Sequence, residues 1–507
     1  MRVDRIVEDA AGRVGADKAA LVDESGAVLR YGELESRIAE AADALRAAGL
    51  APGQRMVLVG ENSADMVVLL LAAMRAGAWA VPLNARMSAG EIDAIVAHCQ
   101  PRLAYFASRS SAEADAHAER SAAAPMDVGS LAQGRLSRHD TGVEPEPGED
   151  GSDRDVAAMI YTSGSTGTPK GVMLTHANLD FVMDVSMQQQ VLRADDLVFH
   201  ALPISHSFGL VSGLLCGLRA GATLQMVQRF SAEKLAHAIT DSGITVFQGV
   251  PAMYARLHEW AQQTGRSLQP NRLRLTYIGG SLIDAARKAQ TEALLGVRLH
   301  HGYGLTESAP AATRTVGHPA PHQVTAGWPI PGIEVVLHDD HGRPVATGER
   351  GEVWIRGPNV MKGYFRDPAQ TALALDDQGW LHTGDIGEFG PEGDLAIVGR
   401  IKEMIIRGGF NVYPAEVERA IAAYPGVAQC AVVGRSIAGD EQVIAFVEPV
   451  AGQTVDGEAL CGFLRERLAP YKLPSRVISM ERLPATSTGK LLKAQLKAAA
   501  NAVDTAA

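Results

Sequence analysis

Tyr161-Thr-Ser-Gly-Ser-Thr-Gly-Thr-Pro-Lys170 is the stretch on which the reading of this chain turns. Behind the leading tyrosine every residue is small, polar, proline or lysine, and Met159-Ile160 ahead of it read as the end of a buried strand. Such a loop exposes backbone N–H groups and hydroxyls and ends in a cation. A polyanionic phosphate needs those donors, many and short, with little bulk around them. The loop is not a Walker A loop, which requires Gly-x4-Gly-Lys-Ser/Thr; five residues past Gly164 stands Pro169. Taken alone, the run fits a plain surface loop as well.

Length and charge narrow the field. A chain of 507 residues is too long for one core, so two or more domains are expected. A hydrophobic content of 46% is that of an ordinary soluble globular protein. The net charge is −11 and no long basic cluster occurs, which argues against nucleic acid as a partner. Met1-Arg-Val-Asp-Arg-Ile carries charges where a signal peptide needs an apolar run. The apolar stretch Met66 to Met74, followed by Arg75, falls far short of the roughly 20 residues that span a bilayer. Cys99, Cys216, Cys430 and Cys461 are scattered without a CxxC pair, as in a reducing compartment. A cytoplasmic protein without a transmembrane segment is expected; a homodimer stays open.

Periodicity gives the architecture. Tyr31 to Ala48 reads as a helix with Leu34, Ile38 and Leu45 on one face, closed by Gly49. Arg55 to Val59 reads as a strand, Asn62-Ser63 caps the helix Met66 to Met74, and Trp79 to Leu83 is the next strand. This β-α-β rhythm predicts a mostly parallel sheet with helices on its faces. Ser108 to Asp155, rich in Ala and Ser, reads as a surface excursion within the domain. Residues 332–399 carry short alternating runs such as Gly351-Glu-Val-Trp-Ile-Arg356, which predict hairpins and a small barrel. From about 402 a compact α+β unit follows, with a helix opening at Pro414, strands over Ala428 to Val433 and Gln442 to Val447, and a helix over Gly457 to Leu468.

Further motifs appear in an informative order. Leu275-Thr-Tyr-Ile-Gly-Gly-Ser-Leu282 is a strand entering a turn that suits the wall of a purine site. In His301-Gly-Tyr-Gly-Leu-Thr-Glu307 the glycines permit close approach to a flat ring, Thr306 can donate to a phosphate, and Glu307 is an oxygen ligand suited to Mg²⁺. Trp380-Leu-His-Thr-Gly-Asp385 presents a carboxylate after a tight turn, as ribose hydroxyls require. Gly399-Arg-Ile-Lys-Glu-Met-Ile-Ile-Arg-Gly-Gly-Phe-Asn411 falls on the domain boundary, and Thr486-Ser-Thr-Gly-Lys490 leaves a lysine on a turn near the C-terminus.

Together these segments resemble the acyl-activating, AMP-binding adenylate-forming superfamily, which holds the acyl- and aryl-CoA synthetases, firefly luciferase and peptide-synthetase adenylation domains. The resemblance runs from about Leu29 to Leu496, with the core signatures in family order at family spacing. It implies an α/β fold: a large N-terminal domain (1–399) of doubly wound sheets plus a small barrel, a hinge at 400–402, and a smaller mobile α+β C-terminal domain (403–507). It implies a carboxylate–CoA ligase that uses ATP, Mg²⁺ and coenzyme A on a carboxylic acid. Thr162, Ser163, Gly164, Ser165, Thr166, Gly167, Thr168 and Lys170 match the loop that holds the β- and γ-phosphates. Gly280, Ser281, His301, Gly302 and Tyr303 match the adenine walls, Thr306 the α-phosphate contact, and Glu307 the Mg²⁺ ligand. Asp385 and Arg400 match the ribose contacts, Lys402 the hinge, Lys490 the catalytic lysine of the first half-reaction, and His206 a gate between carboxylate and nucleotide.

The chemistry explains these residue types. A carboxylate must attack the α-phosphorus of ATP through a wall of negative charge, so cations and N–H donors have to neutralise it. Aligning two anions converts an encounter into a near-unimolecular step, which supplies up to ~7–11 kcal/mol in favourable cases. The second half-reaction needs a thiol where Lys490 had been. In the family the C-terminal domain rotates about the hinge and brings the Arg407-to-Asn411 segment to the site. Gly408 and Gly409 would let a pantetheine arm pass, with Tyr471 and Lys472 near the CoA nucleotide. The acyl pocket would be lined by Ser207, Phe208, Gln248, Gly249, Gly302 and Pro310. No Arg or Lys stands just before Gly302, which disfavours a dicarboxylate, and an apolar monocarboxylate, fatty or aryl, is expected. Transfer to a separate carrier protein and a nucleotide-binding regulator are the alternatives; a regulator would normally have lost Glu307, Asp385 or Lys490, and all three are present.

Overall fold

The computed structural model describes residues 1–125, 134–139, 142, 144–148, 152–163, 169–281, 283–319, 324–408, 410–437, 440–450, 452–485 and 491–502; for 163 and 502 it describes the backbone alone. The predicted β-α-β rhythm resolves into two large sheets. In one, parallel strands Leu299–Tyr303, Leu275–Ile278, Val246–Gly249, Leu197–His200, Thr223–Met226 and Ala19–Val22 lie side by side in that order. In the other, Val156–Ser163, Trp79–Asn84, Arg55–Gly60 and Leu103–Phe106 run parallel, and Pro169–Thr175 returns antiparallel beside the first of them.

Alternation along the strands explains the layering. Met56 and Leu58 point to one side of their sheet and join a core shared with Val198, Leu224 and Val246 of the other sheet. Val57 and Val59 point away and pack against helix Ala89–Cys99 through Ile92 and Ile95. Helix Ala64–Arg75 fills the layer between the sheets, and every residue from Met66 to Met74 is buried. The nine-residue apolar run is therefore a helix buried all round, opened by Ser63, whose hydroxyl accepts from the Met66 N–H. Among the described residues no helix is long and apolar enough to cross a membrane.

The region expected to form a small barrel is a four-stranded antiparallel sheet, Glu334–His338, Arg350–Arg356, Leu381–Phe389 and Leu395–Arg400. The turn Ile401–Glu403 follows, and then hairpin Ile405–Arg407 with Phe410–Val412. Beyond it, strands Val427–Ile437, Asp440–Pro449 and Arg476–Ser479 carry helix Pro414–Ala422 on one face and helix Lys493–Ala502 on the other. The two apolar clusters of this C-terminal unit contain only residues beyond 404. Ser108 to Asp155 holds helix Ala112–Arg120 and a strand, Arg135–Arg138, added antiparallel to Leu103–Phe106.

Candidate active site

A cleft of about 400 Å³ opens at the carboxyl ends of the parallel strands, where open α/β sheets place their ligands. Strand Val246–Gly249 ends at Val250, Leu275–Ile278 at Gly280-Ser281, and Leu299–Tyr303 at His301-Gly302-Tyr303, and these residues line the cleft. Asp385 and Arg400 line it from the antiparallel sheet, and Glu418, Leu491 and Lys493 line it from the C-terminal unit.

The predicted nucleotide walls come together here. Gly280 has φ +77° and turns the chain so that the exposed Ser281 stands at the mouth. Gly302 is required by packing: a Cβ there would lie 1.7 Å from the Tyr277 hydroxyl oxygen and 2.9 Å from the Thr313 carbonyl oxygen. His301 is buried, its Nδ1 lies 3.0 Å from the Thr325 carbonyl oxygen, and burial pushes its pKa down to about 4, so the ring is neutral at pH 7. Asp385 and Arg400 are a cross-strand pair. Arg400 Nε lies 2.9 Å from Asp385 Oδ1, and the Tyr303 hydroxyl donates to Oδ2 at 2.7 Å. Burial pushes the Asp385 carboxyl up against the pull of Arg400, and the Asp385 carboxylate in turn raises Arg400. A buried carboxylate already surrounded by donors is preorganised for hydroxyl hydrogens.

The phosphate side is built differently from a strand-to-helix loop. Thr162 pairs with Lys170 and Ser163 with Pro169 across antiparallel strands, and these strands flank the predicted phosphate loop. Gly164, Ser165, Thr166, Gly167 and Thr168 lie outside the described residues. Lys170 Nζ donates to Gln370 Oε1 at 2.5 Å and stands 4.9 Å over the ring of Tyr364. The Tyr364 hydroxyl donates to Glu307 Oε1 at 2.8 Å. Thr306 opens a short turn next to Glu307, and its hydroxyl lies 3.0 Å from that of Ser207. Among the described residues no group of three or more His, Cys, Asp or Glu could hold a metal by itself. A lone carboxylate suits a magnesium that takes its remaining ligands from nucleotide and water, and Glu307, linked through Tyr364 to Lys170, fits that donor set.

On the acyl side, His206 is exposed at the cleft and Phe208 closes its floor, its ring 3.1 Å from where a Gly279 Cβ would stand. Ser207, Gln248, Gly249 and Pro310 are off the cleft wall. Register puts Gln248 opposite Tyr277, and Phe199 opposite Phe247, so His200 falls beside Gln248. Gln248 Oε1 and His200 Nε2 are both buried without a hydrogen-bond partner.

The described residues among those expected at CoA are brought together with one another, and none of these lines the cleft. Arg407 donates to the Leu473 carbonyl at 2.6 Å, the Gly408 N–H to Asp440 at 2.8 Å, and Phe410, 55% exposed, stacks on Tyr471 at 4.6 Å. Lys472 is paired with Glu416. Lys402 is exposed in the turn after Arg400. Gly409 and Lys490 lie outside the described residues, but the next residue, Leu491, lines the cleft. Sequence reasoning missed Tyr364, Tyr277, His200 and Lys493. Lys493, which ion-pairs with Glu403 and Glu418, lies three residues past Lys490, and Tyr364 follows a glycine; neither carried a local signal of its own.

Residues 7–365 match the family model for the AMP-binding enzyme, and residues 416–490 match that for the AMP-binding enzyme C-terminal domain. The chain is 38% identical over 487 residues to a feruloyl-CoA synthase of an Amycolatopsis species, covering 94% of this chain and 95% of that one. It is 34% identical to an indoleacetate–CoA ligase of Aromatoleum aromaticum, covering 92% of each. Among solved structures, ATP-bound MatB of Rhodopseudomonas palustris superposes with a TM-score of 0.86 at 29% identity, over 99% of this chain and 100% of that one. The apo form of the same protein gives 0.75 at 30% identity, with the same coverage. MenE of Bacillus subtilis with ATP and magnesium gives 0.80 at 28% identity, over 97% of this chain and 99% of that one. The chain belongs to the AMP-binding, adenylate-forming enzyme family.

Proposed function

We propose that this protein is an AMP-forming carboxylate–CoA ligase acting on an aromatic monocarboxylate. The observation that carries the reading is the convergence in one cleft of the Tyr303–Asp385–Arg400 cluster with the His206 segment, bounded by Leu491 next to Lys490. In the first half-reaction a carboxylate oxygen attacks the α-phosphorus and diphosphate leaves. Asp385 and Arg400 hold the ribose, Thr306 meets the α-phosphate, and Lys490 bridges the two anions. Magnesium, held by Glu307 when bound, supplies positive charge to the phosphates. In the second half-reaction the CoA thiol attacks the acyl carbon, its proton leaves, and AMP departs.

The arrangement supports a hinge at Lys402 between domains 1–399 and 403–507, set for adenylation. Leu491 and Lys493 face the cleft while the Arg407 hairpin does not, and ATP-bound MatB superposes better than its apo form. An aromatic acid is favoured by two relatives whose names specify feruloyl and indoleacetyl groups. The test is diphosphate exchange with a panel of acids, followed by CoA addition and product mass. Hydroxylated aryl acids should exceed alkanoic acids at least tenfold in kcat/KM. Equal rates would reject the aromatic assignment, and an acyl-adenylate that never passes to CoA would reject CoA as acceptor.

A further inference from the structure

We propose that Tyr364 is a positioning residue that ties the phosphate-loop lysine to the magnesium-side carboxylate. The proposal rests on the reading of the site given above. Lys170 and Glu307 come from different elements, 137 positions apart in the chain, and one side chain touches both. The ring of Tyr364 sits 4.9 Å beneath Lys170 Nζ, inside the range where an aromatic face attracts an ammonium. Its hydroxyl donates to Glu307 Oε1 at 2.8 Å. Accepting from a phenol fixes the carboxylate's rotamer and uses one oxygen, so the other oxygen is the one oriented toward a cation.

The tyrosine is itself held firmly. Gly363 and Tyr364 pair antiparallel with Met173 and Val172, in the strand that begins at Pro169. The Phe365 N–H donates to the Gly171 carbonyl at 2.8 Å, and the Met361 N–H donates to the Glu307 carbonyl at 2.9 Å. The Tyr364 N–H donates to Thr371 Oγ1 at 2.9 Å, and Gln370, beside Thr371, takes the remaining reach of Lys170. The residue is 9% exposed. A cation placed by Glu307 and a phosphate gripped by Lys170 are thereby fixed at one mutual distance.

The experiment compares the wild type with Tyr364→Phe, Glu307→Gln and the double variant. Mn²⁺ is titrated calorimetrically into enzyme saturated with a non-hydrolysable ATP analogue. Tyr364→Phe keeps the ring and loses the hydroxyl, so Mn²⁺ should bind about tenfold more weakly, the size of one hydrogen bond to a charged group. Metal-free nucleotide affinity should be unchanged, and adding Tyr364→Phe to Glu307→Gln should have no further effect. Tyr364→Leu should in addition raise KM for MgATP a further ~3-fold through loss of the ring beneath Lys170. Wild-type Mn²⁺ affinity in Tyr364→Phe, or additive losses in the double variant, overturns the proposal. Should Tyr364→Phe be poorly folded, Thr371→Val decides: losing the acceptor of the Tyr364 N–H should loosen the tyrosine and weaken Mn²⁺ binding, and wild-type Mn²⁺ affinity overturns the proposal. A wild type that activates no acid would sink the functional reading instead, so the two failures are distinguishable.

Discussion

Replacing Gly302 with alanine tests the proposed adenine wall at its tightest point. The added methyl would lie 1.7 Å from the Tyr277 hydroxyl oxygen, 2.8 Å from Tyr277 Cζ and 2.9 Å from the Thr313 carbonyl oxygen. A carbon–oxygen contact needs more than 3 Å, so the overlap exceeds 1 Å. Tyr277 cannot swing aside, because its ring packs against Phe208 at 6.1 Å and its backbone is fixed between Gln248 and His300 in the sheet. Thr313 is held by pairing with Tyr303. The strand end Leu299–Tyr303 must give instead and carry His301 and Tyr303 with it. Overpacking of this kind costs about 1–3 kcal/mol of stability, and a displacement of about 1 Å costs on the order of 100-fold in rate. In diphosphate exchange with a good acid, Gly302→Ala should lose about 100-fold in kcat/KM for ATP. Adding Tyr277→Phe removes the worst contact and should recover part of that loss, since the ring carbon at 2.8 Å remains. Wild-type kinetics in the single variant, or no recovery in the double, would refute the reasoning.

Lys490→Ala should abolish adenylation while leaving thioester formation from supplied acyl-adenylate within a few-fold of wild type; equal loss of both would count against domain rotation. Lys402→Pro fixes φ at the hinge and should slow one half-reaction at least tenfold relative to the other in single-turnover assays; unchanged rates in both would remove Lys402 from the hinge. Burial holds His200 at about 4, below the ordinary histidine value of 6.5. Because the folded value is the lower one, its contribution of about 3 kcal/mol is complete above pH 6.5 and is lost as pH falls through 4. His200→Gln should flatten the fall in urea midpoint between pH 6.5 and 4, and an unchanged slope would contradict this.

Part of the cleft lining was legible because the motifs that form it are local. The Gly-Tyr-Gly and Thr-Gly-Asp motifs each fit in a few consecutive residues; the first closes strand Leu299–Tyr303, the second lies within strand Leu381–Phe389, and both reach the cleft. The fold was legible for a similar reason. Tyr31 to Ala48 and Pro414 onward carry their own periodicity and end signals, and they form helices Tyr31–Ala47 and Pro414–Ala422. Long-range partnership was not legible. Nothing near Tyr364 names Glu307, and nothing near Gln248 names His200: sheet register sets the second pair, and the first meets where the Met361 N–H reaches the Glu307 carbonyl from a segment far along the chain. Extent was missed where tertiary pairing extends an element: strand Val427–Ile437 runs past the predicted Val433 because it pairs with Asp440–Pro449 along its whole length. The antiparallel return of Pro169–Thr175 beside Val156–Ser163 was hidden as well, since Gly171-Val-Met-Leu-Thr175 carries no mark of its direction.

The most direct test of acid activation is acid-dependent exchange of labelled diphosphate into ATP by the purified protein with magnesium. The account predicts exchange that requires an aryl acid, occurs without CoA, and gives way to stoichiometric AMP and acyl-CoA when CoA is added. No exchange with any acid across a broad panel would contradict it.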